Sequence, residues 1–123
     1  MAIRLDHNIV PAKDKVAAAQ FFADIFGLKV KLGHFAQVQI NESLTFDFSD
    51  EPAPWHQHYA FHVSEAEFDA IFGRVKAKGL TYGSGPFNHT DGQLYTRRGG
   101  LGFYFEDPNG HLLEVMTVPE TGS

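Results

Sequence analysis

Tyr104-Phe-Glu-Asp-Pro-Asn-Gly-His-Leu-Leu-Glu114 decides how the rest of the chain is read. Apolar residues flank a centre, Asp107-Pro-Asn-Gly-His111, whose Pro and Gly suit a tight turn. The stretch is therefore expected to be a hairpin, with strands at 102–106 and 112–117. On the second strand Leu113 and Val115 share one face, so Glu114 faces the other way with Leu112 and Met116. A carboxylate on the inner face of a core strand needs a partner, because an unpaired buried charge is very costly.

Working back towards the N-terminus, further elements follow. Strand candidates lie at 80–83 and 93–98. Phe68, Ile71, Phe72 and Val75 recur at helical spacing, behind the capping box Ser64-Glu-Ala-Glu67 and ahead of a stop at Gly79, which predicts a helix to about Lys78. His58-Tyr-Ala-Phe-His-Val63 reads as a strand before it. Residues 50–56 break the pattern and read as a linker, in which Trp55 either lids the cleft or, the favoured reading, packs against a core edge. The same plan occurs earlier. A strand at 3–10 ends at Pro11, and Asp14 caps a helix to about Phe26. Val16, Ala19 and Phe22 form its apolar face, and Gly27 stops it. Strand candidates follow at 28–33, 35–40 and 43–49. In the last, Leu44, Phe46 and Phe48 share one face, and Thr45 and Asp47 the other.

A strand, a helix and then further strands thus appear twice, read as a β-α-β-β-β plan repeated in module one (about 1–50) and module two (about 57–118). The expectation is one α+β domain spanning 1–123, two βαβββ modules forming a curved eight-stranded mixed sheet, with twelve Phe supplying a bulky core. The net charge of −5 gives no footprint for nucleic acid or an anionic membrane surface. There is no Cys, hence no disulfide framework and no thiolate ligand or nucleophile. No apolar run approaches a bilayer span, and 1–7 has no signal-peptide pattern, so a cytoplasmic location is expected.

Position singles out two of the seven His. His7 and His58 open the first strand of each module, and pseudo-two-fold packing would bring them together. With Glu114 they would form a metal cleft: two imidazoles and one carboxylate leave open positions and suit one divalent metal, Fe, Mn, Zn, Ni or Co. Asp47 is the counterpart of Glu114, read either as a fourth ligand or base or as a sheet-surface carboxylate bonded to Thr45 or water. His62 shares a strand face with His58. Alternation lets one of Arg97 and Arg98 face inward, towards an anionic substrate or towards solvent.

The segments Leu5-Asp-His7, His58-Tyr-Ala-Phe61 and Tyr104 to Glu114 resemble the vicinal oxygen chelate superfamily, which holds glyoxalases, bleomycin resistance proteins and extradiol dioxygenases. The resemblance covers nearly the whole chain, and the turn followed by Glu114 is its most specific part. It implies His7, His58 and Glu114 as metal ligands and Tyr104 as a cleft-facing tyrosine, with His62 or His89 as a base. It also implies a homodimer and a small oxygen-rich substrate, handled by dioxygenase-like or glyoxalase-like chemistry. A metal-free antibiotic-binding protein is the alternative.

Overall fold

A computed structural model describes residues 3–120. The chain forms two compact units, the first ending at Trp55 and the second beginning at His56.

The first unit contains β1 (His7–Ala12), α1 (Lys15–Phe26), β2 (Val30–Leu32), β3 (Ala36–Gln39) and β4 (Thr45–Asp50). Its sheet has the order β1-β4-β3-β2, with β1 parallel to β4 and the remaining pairs antiparallel. Both ends of α1 follow from the sequence. The Asp14 carboxylate accepts the backbone N–H groups of Val16 and Ala17, and Gly27 ends the helix at a left-handed φ of 71°. Phe22 carries the helix onto the sheet, its ring 5.5 Å from that of Phe46 and 5.9 Å from that of Phe48. Asp47, between those two, is thereby turned away from the helix.

The second unit contains β5 (His58–His62), α2 (Glu65–Ala77), β6 (Tyr82–Gly83), β7 (Tyr95–Arg97), β8 (Gly100–Glu106) and β9 (Leu112–Met116). The sheet order is β5-β9-β8-β6, with β5 parallel to β9 and β7 also paired to β8. Ser64 and Glu67 form the expected capping box. Phe68 and Phe72 lie on Phe103 of β8, with ring centroids 5.5 and 5.1 Å apart.

The duplication extends to individual hydrogen bonds. Asp47 pairs with Ile9 and Gln37; Glu114 pairs with Ala60 and Tyr104. Each carboxylate therefore lies opposite the residue two places after the His that opens its module. The β3–β4 turn closes with Ile40 N–H donating to Leu44 O, and the β8–β9 turn with Asp107 N–H donating to His111 O. The Thr45 N–H bond to Asp6 O is matched by that of Leu112 N–H to Gln57 O.

The α+β class stands, its strands lying in mixed sheets of four and five rather than one of eight, because each module's first strand pairs in parallel with its own last strand. Two expectations are corrected. β1 runs on through Pro11, which is compatible with a strand at the end of its sheet, where one side of the backbone needs no ladder bond. Trp55 is 53% exposed rather than packed, in a stretch without strand or helix.

Candidate functional site

Glu114 is the buried carboxylate of the second unit, 5% exposed on the middle of β9. Its two oxygens have different neighbours. Oε1 lies 3.2 Å from His58 Nε2. Oε2 accepts the Tyr95 hydroxyl at 2.6 Å and a longer contact from Arg97 Nη2 at 3.4 Å. Arg97 Nη2 also donates to the Tyr95 oxygen at 2.7 Å, and its guanidinium lies 5.1 Å from the centre of the Tyr95 ring. Tyr104 stacks on His58 with centroids 5.9 Å apart, and Tyr95 lies 5.7 Å from Tyr104. Ser84, Tyr95, Thr96, Arg97 and Tyr104 line an open hollow of about 270 Å³.

The local sequence builds this cluster. The Asp107 carboxylate accepts the N–H groups of Asn109 and His111, and Gly110 takes a φ of 83°. His111 is buried, and its Nδ1 accepts the N–H of Gln57 at 3.0 Å. With the Leu112 to Gln57 bond, this ties the start of β9 to the residue before His58, and so fixes Glu114 against His58. On the other side of β9, β7 and β8 form a tight hairpin. Arg97 pairs with Gly100, and the two residues between, Arg98 and Gly99, have φ of 48° and 82°, the positive values that two-residue hairpins favour. Arg98 is thereby spent on the turn and donates to the carbonyl of Pro119. Arg97 is the arginine that faces Glu114.

Gly102 completes the arrangement. It is the cross-strand partner of Tyr95, and a Cβ there would lie 2.1 Å from Tyr95 Cζ. The Tyr95 ring lies across the bare backbone of β8 and so reaches Glu114 on the next strand. Burial first, then the hydrogen bond to Glu114, hold the Tyr95 hydroxyl protonated well above the ordinary tyrosine range. Burial and the charge of Glu114 push Tyr104 up to about 12.

The other candidate residues are placed as follows. His62 is exposed on β5, its Nε2 3.1 Å from the Thr117 carbonyl. Asp47, 6% exposed in the first unit, is a buried carboxylate that accepts from Gln37 Nε2 at 3.0 Å. His7 is exposed at the start of β1, its Nδ1 2.8 Å from the Asp6 carboxylate, which raises its pKa. Among the described residues no group of three His, Asp or Glu is arranged as a complete metal set. The donors of His58 and Glu114 do fit two adjacent ligands of one ion: at bond lengths near 2.1 Å, cis ligands lie about 3.0 Å apart.

The family model of the Glyoxalase/Bleomycin resistance protein/Dioxygenase superfamily matches residues 4–115. The chain belongs to this superfamily.

Within it, several proteins are similar over half to all of the chain. Oxidase ChaP-H2 is 47% identical, with a TM-score of 0.91 and full coverage of both chains. Oxidase ChaP-H1 is 42% identical at a TM-score of 0.90, covering 98% of this chain and 100% of its own. Glutathione transferase FosA of Serratia marcescens is 24% identical over 120 residues, 90% of this chain and 78% of that protein. Metallothiol transferase FosB of Shouchella clausii (strain KSM-K16) is 34% identical over 62 residues, half of this chain and 38% of its own length.

The superfamily turn motif explains Glu114 and His58 but not Tyr95, which the sequence reading left unassigned. The signal for it was present in the alternation Tyr95-Thr-Arg97 facing a strand glycine, Gly102. No helix among the described residues is long and apolar enough to cross a membrane.

Proposed function

We propose that this protein is a divalent-metal-dependent oxidase of a small oxygen-rich molecule, and that His58 and Glu114 are two of its metal ligands. The observation that carries the reading is the 3.2 Å approach of an exposed imidazole to a buried carboxylate, which fits adjacent ligands on one ion as well as a hydrogen bond. His7 is the third donor that the duplication nominates, at the register in β1 that His58 holds in β5. A bound divalent cation with open positions would supply Lewis acidity to substrate oxygens. The likeness to two oxidases along nearly the whole chain favours oxidation over the thiol transfer named for FosA and FosB.

The other candidate residues have separate tasks in this reading. Tyr95 orients Glu114 through Oε2 and leaves Oε1 towards His58. Tyr104 keeps its proton at neutral pH and offers a hydroxyl beside the hollow. His62 and Asp47 are the candidate bases. With Nε2 engaged at the Thr117 carbonyl, His62 has Nδ1 to accept a proton, and Asp47 is kept in place by Gln37.

The test is oxygen uptake by chelator-stripped protein, with and without added Fe(II), Mn(II) or Zn(II), against catechols, hemithioacetals and a thiol-plus-epoxide pair. Metal-dependent uptake that H58A and E114Q each abolish is expected. Thiol adduct formation without oxygen uptake would instead place the protein with the transferases. A second reading, a metal-free binder, is favoured by one observation: Glu114 already has partners in Tyr95 and Arg97. In that case ligand affinity should survive both chelation and E114Q.

A further inference from the structure

We infer that Arg97 is the resident counter-ion of Glu114 and competes with a divalent cation for that carboxylate, while Tyr95, seated on Gly102, acts as the positioning residue for both. This deepens the reading of His58 and Glu114 as metal ligands and rests on it. Glu114 is 7% exposed at its side chain, so its charge must be matched from within. Arg97 provides that match at 3.4 Å from Oε2. Arg97 and Glu114 carry opposite unit charges, so one arginine offsets one carboxylate.

The hold on Arg97 is incomplete. Its Nη2 is directed to the Tyr95 oxygen and Glu114, with the Met116 sulfur 3.8 Å away. Its Nε is buried and has no hydrogen-bond partner among the described residues. A guanidinium satisfied along its whole edge would be locked in place; this one is posted at Glu114 by one nitrogen and by its stack on Tyr95. The contact to Glu114 is also longer than those Glu114 makes with His58 and Tyr95. Such a counter-ion stabilises the carboxylate when no cation is bound and opposes a cation by charge repulsion when one is. Tyr95 acts in the opposite sense. Its short bond fixes the carboxylate rotation that keeps Oε1 beside His58, a support whose loss costs ligands of this kind affinity.

The two residues are therefore expected to give opposite signs. Mn(II) and Zn(II) are titrated calorimetrically into the chelator-stripped full chain, with the melting temperature of the metal-free protein measured alongside. R97Q should melt lower when metal-free yet bind the cation at least about tenfold more tightly. Y95F should bind it about tenfold more weakly. A merely structural Arg97 would move the melting temperature and leave binding unchanged or weaker, and that result in folded R97Q overturns the inference. If R97Q does not fold, R97M keeps most of the aliphatic stem but removes the charge; it should also bind more tightly, and an unchanged constant overturns the inference. Wild type that binds, loses binding in E114Q and is indifferent to Arg97 sinks this inference alone. Wild type that binds no cation sinks it together with the ligand reading.

Discussion

Asp47 and Glu114 occupy the same register in two copies of one module, and both are buried, yet their surroundings differ in kind. Asp47 has a neutral amide, Gln37, as its hydrogen-bond donor. Glu114 has an imidazole on one oxygen and a phenol and a guanidinium on the other. The backbone that presents them is nearly the same, down to the turn closures at Ile40–Leu44 and Asp107–His111. What differs is what the flanking strands carry. Module two has an additional strand, β7, bringing Tyr95 and Arg97, and a glycine at position 102 where the equivalent register of module one has Phe35. The duplicated scaffold positions a carboxylate twice; the flanking strands decide which donors surround it.

The strongest way to break this comparison is to neutralise each carboxylate in turn. E114Q should weaken cation binding by more than about a hundredfold, since it removes a charged ligand. D47N should change affinity much less while costing about 1 kcal/mol of stability through its bond to Gln37. Calorimetric titration and chemical denaturation of both variants check this. Equal losses would make the two carboxylates functional equals and restore Asp47 as a ligand.

A smaller effect is expected beneath Tyr95. G102A introduces a methyl 2.1 Å from a ring atom, so the ring must move, at a cost of about 1–3 kcal/mol and with the same weakened cation binding as Y95F. G33A, in module one, has nothing closer than 3.8 Å and should stay within about 0.5 kcal/mol of wild type. Urea denaturation reads both. A G102A variant with unaltered affinity would show that Tyr95 does not depend on its seat.

The smallest effect contrasts the helix starts, one capped by Asp14 and the other by Ser64 with Glu67. S64A should cost about 1 kcal/mol. The hydrogen bonds from Ser64 hold Glu67 below the usual carboxylate range. Its folded pKa is depressed, so its contribution is present above the ordinary glutamate value and fades as pH falls through the folded one. E67Q should therefore flatten the acid limb of the stability–pH curve slightly, and an unchanged limb would remove Glu67 from the account.

Much of the fold was legible because local chemistry and global pattern agree. Asp14, Gly27, Ser64, Glu67 and Gly79 mark helix ends by mechanisms that work within a few residues. Alternation on 112–116 predicted Leu113 and Val115 on one side and Glu114 on the other, and the Asp107–His111 turn identified the hairpin. The ends of β1 and β8 were less legible. A proline stops a strand only where its N–H would be needed, and Arg98-Gly99 is a turn only once Arg97 and Gly100 are paired.

By itself, then, the sequence determined the repeat of strand, helix and further strands, the face on which each carboxylate lies, and the histidine that opens each module, because periodicity and capping are local properties. Tertiary structure alone decided which residues surround Glu114. Tyr95 and Arg97 reach it across β8 over the bare backbone of Gly102, and His58 reaches it along a parallel strand whose register His111 and Gln57 set. Those contacts join residues 17 to 56 positions apart, where no local propensity acts and only strand order and steric fit choose the neighbours.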